Sequence, residues 1–362
     1  MESSIKFSII VPAYGVEKYI REALNCLRSQ TYDNFEAIIV DDCSPDGSGV
    51  IAQEFAALDS RFTYIRHQVN QGVSAARNTG IEAAKGDYLL FLDPDDTYET
   101  SLLETCARAL DREPVDYLVY SFMEDYRSAE DGQVTYSRPI GLKDLGIEGD
   151  SYTTKDVNHI HSMAMKLEHA TMLGYPWNKC FKASIVKDSG LAYKKIKHVE
   201  DILFNCDMLD VISSMTILGD GLYHYRNQGQ VRLTSGQIDD YFSLQSTRVQ
   251  RLLDQQKAWG SLDVYGQSVL AGVYFRSFQS NMVRLMAAGY KRKDVLDWCK
   301  KESRSKLYLE LKDHLPTDSR MVKLLYQPLA QGNFSLGLKR TRLIAFVKKN
   351  FSGLFNKLKQ MR

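Results

Sequence analysis

This sequence predicts an α/β fold: a mostly parallel sheet with helices on both faces, followed by a mainly helical C-terminal region. Three observations carry the prediction. Over the first 120 residues, short apolar runs alternate with segments of helical spacing. Three of the first four apolar runs end in unusual loops rich in small, turn-forming or acidic residues. From about residue 238 to 312 the pattern becomes mostly helical.

The elements follow in order. Phe7–Val11 is a compact apolar run that stops at Pro12. Glu17–Gln30 places Ile20, Ala23, Leu24 and Leu27 at helical spacing. Phe35–Val40 reads as a strand ended by Asp41-Asp42, Gly47–Leu58 as a helix and Phe62–Ile65 as a strand. Val73–Ala84 reads as a helix, Tyr88–Leu92 as the fourth strand, Glu99–Leu110 as a helix and Val115–Tyr120 as the fifth strand. Such alternation predicts a parallel sheet with right-handed crossovers. Residues 125–160 are polar with scattered glycines and read as a hairpin or loop. Farther on, Leu244, Leu252, Leu253, Val269, Tyr274 and Phe278 are the expected packing positions. The expected divisions are a first domain over 1–230, a helical region over 231–333 and a separate basic helix over 334–362.

Bulk composition narrows the classes. Charged residues make up 25% and hydrophobic ones 44%, ordinary for a globular protein. A net charge of +1 argues against a nucleic-acid partner for the whole molecule. Residues 335–362 carry eight basic residues and no acid, which leaves the rest of the chain near −7. Six cysteines show neither C-x-x-C pairs nor zinc spacing, which fits a reducing cytoplasm. The first residues lack a basic segment followed by a long apolar one, so no signal peptide is expected. No apolar run is long enough to predict a membrane-spanning helix.

Three strand ends carry chemistry-bearing residues. They are Val11-Pro12-Ala13-Tyr14-Gly15, Val40-Asp41-Asp42-Cys43-Ser44-Pro45-Asp46-Gly47-Ser48, and Leu92-Asp93-Pro94-Asp95-Asp96. In a parallel sheet these loops share one edge, where open α/β sheets bind ligands. Tyr14 can stack on a base, and an Asp can accept from a pyrimidine N–H or a ribose hydroxyl. Three carboxylates within Asp93–Asp96 repel one another unless a hard cation offsets their charge. Read singly, Tyr14 also suits core packing, Asp41 or Asp42 a helix cap, and Asp46-Gly47-Ser48 a turn. No glycine-rich phosphate loop occurs at a strand-to-helix turn.

With these motifs in order, the chain resembles a family 2 glycosyltransferase with a GT-A-type, Rossmann-like nucleotide-sugar fold. The matching stretches are Ser8–Tyr14, Ile39–Ser48, Asn70–Gly80, Gly86–Asp96, Trp177–Phe181 and Glu200–Phe204, within residues 5–226. The resemblance implies a base pocket from Pro12, Ala13 and Tyr14, with Asp42 reading the uracil or its ribose. It implies that Arg77 fixes the nucleotide, and that Asp93 and Asp95 form the metal-binding pair, Asp95 being the direct ligand. It makes Asp201 the catalytic base, at a helix start shared with Glu200. Trp177, as a sugar platform or else a core aromatic, and Glu200 would border the acceptor, Arg226 would contact the diphosphate, and His224 would be a further metal ligand or an ordinary strand histidine. Pro94 departs from the small residue usual between the two acids but removes no ligand.

The implied reaction is inverting, metal-dependent transfer from a UDP-sugar, or another nucleotide sugar, to a hydroxyl of a glycan or lipid-linked saccharide. Mn²⁺ or Mg²⁺ is the implied cofactor, and bacterial surface polysaccharide the implied destination. A nucleotidyltransferase is the rival with a related sheet, but Val11–Val16 holds no Arg or Lys for a triphosphate. A non-catalytic glycan- or membrane-binding subunit would not need Asp93, Asp95 and Asp201. At the C-terminus, Leu343, Val347, Phe351, Leu354, Leu358 and Met361 recur at three- and four-residue steps among lysines. This reads as a basic amphipathic helix on an anionic membrane surface, placing the protein on the inner face of the cell membrane. The same stripe would also serve for docking on the chain's own body or on a second copy, giving a homo-oligomer.

Overall fold

The computed structural model describes residues 3–128, 132–196, 198–227, 240–316 and 319–350, with side chains as far as Leu343. It forms two compact units, Met1–Arg232 and Leu233–Arg362.

The first unit is a mixed sheet flanked by helices. Its strands are β1 (Phe7–Ala13), β2 (Phe35–Asp41), β3 (Phe62–Arg66), β4 (Tyr88–Phe91), β5 (Thr97–Tyr98), β6 (Tyr117–Arg127), β7 (Val134–Ile140), β8 (Ser151–Thr154), β9 (Lys179–Lys182) and β10 (Met215–Asn227). Between them lie α1 (Glu17–Arg28), α2 (Ser48–Leu58), α3 (Val73–Ala83), α4 (Leu102–Arg112), α5 (Val157–His169), α6 (Ala183–Asp188) and α7 (Glu200–Leu209). The strand order is β3-β2-β1-β4-β9-β6-β10-β5, with β7 on β6 and β8 on β10. β1 is parallel to both β2 and β4, and β2 to β3. Every residue of β1 is buried, as expected for a strand covered on both faces. Helix α1 buries Ile20, Ala23, Leu24 and Leu27, the stripe read from the sequence. A Cβ at Gly80 would collide with the Ile10 side chain, so glycine lets α3 lie close on β1.

The sequence reading needs correction in the middle of the sheet. The fifth predicted strand does not extend the parallel set beside β4. Instead β9, from the Trp-Asn-Lys-Cys-Phe motif, inserts antiparallel to both β4 and β6. β6 then pairs in parallel with β10. Residues 125–160 supply the β6–β7 hairpin, a 3-10 turn at Leu142–Leu145, β8 and the start of α5.

The second unit contains α8 (Tyr241–Ala258), α9 (Val264–Ala287), α10 (Arg292–Glu302), α11 (Lys306–Leu311), α12 (Arg320–Leu325), α13 (Gln327–Ala330) and α14 (Phe334–Asn350). Leu252, Leu253, Val269, Tyr274 and Phe278 are buried there, while Leu244 is half-buried. Helix α14 begins as a packed element: Phe334, Leu338 and Thr341 are buried, and the Phe334 ring stacks 6.0 Å from Phe278. The expectation of a separate surface helix from residue 334 is therefore wrong for its first turns. Leu343 is 62% exposed. Phe351, Leu354, Leu358 and Met361 lie outside the described residues. Among the described residues no helix is long and apolar enough to cross a membrane.

Candidate active site

The carboxyl ends of β1, β2 and β4 share one sheet edge because these strands run parallel. The first two loops are tied together. Asp42 N–H donates to the Ala13 carbonyl at 2.9 Å, and Val16 N–H to Ser48 Oγ at 2.9 Å. Gly47 N–H donates to Glu17 Oε2 at 3.0 Å. Pro12 and Ala13 are buried beneath the loop, while the Tyr14 ring is 51% exposed at its rim. Asp42 is not open to a base. Its carboxylate is buried and accepts from His67 Nδ1 (2.7 Å), Gln71 N–H (2.9 Å) and Gly72 N–H (2.7 Å). Gly72 has φ +91°, a conformation that favours glycine and begins α3. Asp42 thus fixes the segment that leads into Arg77, and direct base reading does not match its contacts.

The acidic loop after β4 divides by burial. Asp95 is exposed and Asp93 half-buried. Asp96 is buried, accepting from the Tyr223 hydroxyl at 2.8 Å and from Arg226 N–H at 2.7 Å. Burial, with Asp95 and Asp93 adding to it, raises the Asp96 carboxyl well above its usual range. Asp96 therefore anchors the loop to β10 and leaves its two neighbours to face outward. The sequence alone did not separate these three roles.

Arg77 of α3 is the hub of the site. It is buried and donates from Nη1 to Asp201 Oδ1 at 2.5 Å and from Nη2 to Asp93 Oδ1 at 3.3 Å. Glu200 Oε1 lies 3.8 Å from Nη1. The structure so brings together Arg77, Asp93, Glu200 and Asp201 from motifs far apart in sequence. Glu200 and Asp201 occupy the first turn of α7, where the helix dipole favours negative charge. The Asn205 amide braces that turn, donating to the Asp201 carbonyl at 2.9 Å and the Tyr175 carbonyl at 3.2 Å. Burial raises the Asp201 carboxyl to about 7; Arg77 opposes the shift, while Glu200 and Asp93 add to it. A carboxylate held there can accept a proton near neutral pH.

Three buried atoms at this cluster have no hydrogen-bond partner among the described residues: Arg77 Nε, Glu200 Oε2 and Tyr193 Oη. Leaving such a group unpaired costs about 1–3 kcal/mol. Tyr193 was not anticipated from the sequence. It stands in an irregular segment before α7, with no periodicity or motif to mark it.

The structure bears on three further expectations. Trp177 is 1% exposed and stacks on Tyr223, with ring centroids 4.1 Å apart, and on Tyr175 at 4.5 Å. It is a core residue under the aromatic end of β10 and offers no sugar platform. Both ring nitrogens of His224 are taken, Nδ1 by Asp125 at 2.8 Å and Nε2 by Glu99 at 2.7 Å. Burial lowers its affinity for a proton, but Glu99 and Asp125 outweigh this and raise its pKa. His224 is thus a strand histidine between two acids, the alternative to a metal ligand. The Arg226 guanidinium pairs with Glu22 of α1 at 2.6 Å and is buried there. A contact with a diphosphate would require that pair to open.

No group of three or more metal-ligating side chains occurs among the described residues. Asp93 and Asp95 still fit a hard cation that takes one or two carboxylates and completes its shell with substrate phosphates and water. Exposed Asp95 suits a direct ligand, whereas one oxygen of Asp93 already accepts from Arg77.

A parallel sheet edge, an acidic loop facing outward and the Asp201 carboxylate in an acidic cluster beside it match a GT-A-type nucleotide-sugar fold. Residues 8–165 match the family model for glycosyl transferase family 2. EpsH of Bacillus subtilis is 35% identical over 222 residues, 60% of either chain. The glycosyltransferase GlyA of Streptococcus pneumoniae is 33% identical over 225 residues, 61% of this chain and 30% of that one. The match thus spans 60% of EpsH and 30% of GlyA, less than two thirds of either relative's length. Among solved structures, Staphylococcus aureus TarS 1–349 in complex with UDP-GlcNAc matches with a TM-score of 0.65. It covers 95% of this chain and 92% of that one at 20% identity, a likeness of fold.

Proposed function

We propose that this protein is an inverting, metal-dependent glycosyltransferase. It moves a sugar from a UDP-sugar to a hydroxyl of a glycan or lipid-linked saccharide in bacterial surface-polysaccharide synthesis. The observation that carries the reading is Arg77 joining Asp201 to Asp93, which sets a proton acceptor beside an acidic loop at the binding edge. UDP is favoured because a protein of the same fold holds UDP-GlcNAc. The surface-polymer destination rests on family analogy.

In this reading Asp201 accepts the proton of the acceptor hydroxyl as that oxygen attacks the anomeric carbon from the side opposite the diphosphate. Asp95 and Asp93 would hold Mn²⁺ or Mg²⁺, which when bound offsets the charge of the departing diphosphate. Tyr14 forms the rim on which the base stacks, with Pro12 and Ala13 packed beneath it, and Asp42 keeps the Gln71–Gly72 backbone in place. Glu200 faces the acceptor. The C-terminal basic segment would hold the enzyme on the inner face of the cell membrane. A nucleotidyltransferase is disfavoured by the absence of Arg and Lys from Val11–Val16.

The test is incubation of the protein and Mn²⁺ with a panel of nucleotide sugars, reading free nucleotide diphosphate. Release that depends on metal and disappears in Asp201→Asn supports the reading. No release from any donor overturns it.

A further inference from the structure

We propose that Tyr193, Arg77 and Glu200 form a hydroxyl-binding subsite beside Asp201, which takes a second hydroxyl of the acceptor next to the one that reacts. The proposal rests on the glycosyltransferase reading and adds to it the chemical class of the acceptor, a vicinal diol.

The three orphaned atoms belong to neighbouring residues. The Arg77 guanidinium carbon lies 5.2 Å from the Tyr193 ring centroid, and Arg77 Nη1 lies 3.8 Å from Glu200 Oε1. All three residues are more than nine-tenths buried: Arg77 and Tyr193 are 3% exposed and Glu200 8%. The Tyr193 ring is fixed from several sides. Asn78 clasps its backbone, donating to the Tyr193 carbonyl at 2.9 Å and accepting from its N–H at 2.8 Å. Its ring stacks on Phe204 of α7 at 4.2 Å and meets the Phe91 ring edge-on at 5.5 Å. Packing thus holds the ring while its hydroxyl has no partner among the described residues. Unpartnered buried polar groups are few in native proteins, and three beside one reactive carboxylate point to a ligand that completes them.

Their chemistry selects the ligand. The unmade bonds are one N–H donor from Arg77, one hydroxyl from Tyr193 that donates or accepts, and one accepting oxygen of Glu200. A single guanidinium here faces Asp93, Glu200 and Asp201, so the cluster carries excess negative charge when they are ionised. That charge repels a phosphate or carboxylate. An ammonium group could only donate, and would leave Arg77 Nε unpaired. A neutral hydroxyl satisfies both sides, accepting from Arg77 or Tyr193 and donating to Glu200. Glu200 and Asp201 are consecutive residues and share Arg77 Nη1, so hydroxyls served by the two belong on adjoining carbons.

The test uses competition between two small alcohols as acceptors, with the donor that releases most nucleotide diphosphate in the panel above. Glycerol and 1-propanol are supplied at equal concentration, and their glycosides are quantified by mass spectrometry. The expected ratio for the intact protein is about twenty- to thirtyfold in favour of glycerol, a factor of two or three from its extra hydroxyls times about tenfold for one hydrogen bond. In Tyr193→Phe the ratio should fall to about two or three, the excess of hydroxyls on glycerol. Its melting temperature should hold or rise, because the substitution breaks no internal hydrogen bond and removes a buried unpaired hydroxyl. Equal use of the two alcohols by the intact protein, or transfer to water alone, overturns the subsite. An unchanged ratio in Tyr193→Phe removes Tyr193 from it and overturns the proposal as stated. Absence of nucleotide diphosphate release from every donor overturns the underlying glycosyltransferase reading instead.

Discussion

Arg77 holds Asp201 at 2.5 Å, spanning 124 positions of sequence, while its other terminal nitrogen holds Asp93. One buried guanidinium therefore couples the residue assigned to proton transfer with the loop assigned to the donor. Electrostatics also links them, since Asp93 contributes to the raised pKa of Asp201.

The first prediction concerns pH. Asp201 must be ionised to accept a proton, and burial raises its carboxyl to about 7. Turnover at saturating substrates should fall as pH drops below about 7. A rate that is flat from pH 5 to 8 would exclude Asp201 as the base. Stability has the opposite slope. The native state holds this proton above the unfolded value of about 3.9, so ionising it removes stability as pH rises from about 4 to about 7. The melting-temperature difference between Asp201→Asn and the unmodified protein should therefore shift in favour of the mutant over that window.

Asp201→Asn should separate binding from chemistry. The amide keeps the size of the carboxylate but cannot take a proton. Transfer should fall roughly 10²–10⁴-fold, the usual contribution of a positioned general base. Nucleotide affinity, measured by calorimetry, should change little. Near-normal turnover would reduce Asp201 to a helix-start residue.

Asp95→Ala removes the exposed acid of the loop. Metal-dependent UDP affinity should disappear while the melting temperature holds, because Asp95 is an exposed loop residue outside the core. Calorimetry of UDP with Mn²⁺ decides this, and unchanged affinity assigns the cation elsewhere.

Tyr223→Phe should act through Asp96. It removes the donor at 2.8 Å and leaves one carboxylate oxygen of a buried acid unpaired. A loss of about 1–3 kcal/mol in stability is expected, together with weaker UDP binding as the acidic loop loosens. Unchanged thermal stability would show that Asp96 does not depend on this bond.

The basic C-terminal segment is tested by truncation, and the structure moves the cut. Ending the chain after Asn333 would remove buried Phe334 and Leu338 and disturb the second unit. A chain ended after Leu343 keeps those contacts. It should no longer sediment with anionic vesicles, while still hydrolysing a soluble donor. Continued sedimentation would place membrane affinity elsewhere.

The early sheet was legible because its physics is local. Phe7–Val11, Phe35–Val40 and Tyr88–Leu92 are short apolar runs, and each ends where β1, β2 or β4 reaches the binding edge. Asp93, Asp95, Glu200 and Asp201 were likewise visible as acids at a strand end and a helix start.

The tertiary structure decided what those residues face. Trp177 looked like a sugar platform until β9 inserted between β4 and β6 and carried it into an aromatic core. Asp42 and His224 carry binding chemistry in isolation, but backbone amides, His67, Glu99 and Asp125 use it up. Arg77 bridges two acids, a partnership its motif did not show, and Tyr193 entered the site from a segment with no pattern. The sequence by itself determined which strands form and which acids lie at their ends, because periodicity and burial act over a few residues. Partnership depends on contacts between residues up to 124 positions apart, and only the closed fold settles which polar atoms are satisfied and which still await a ligand.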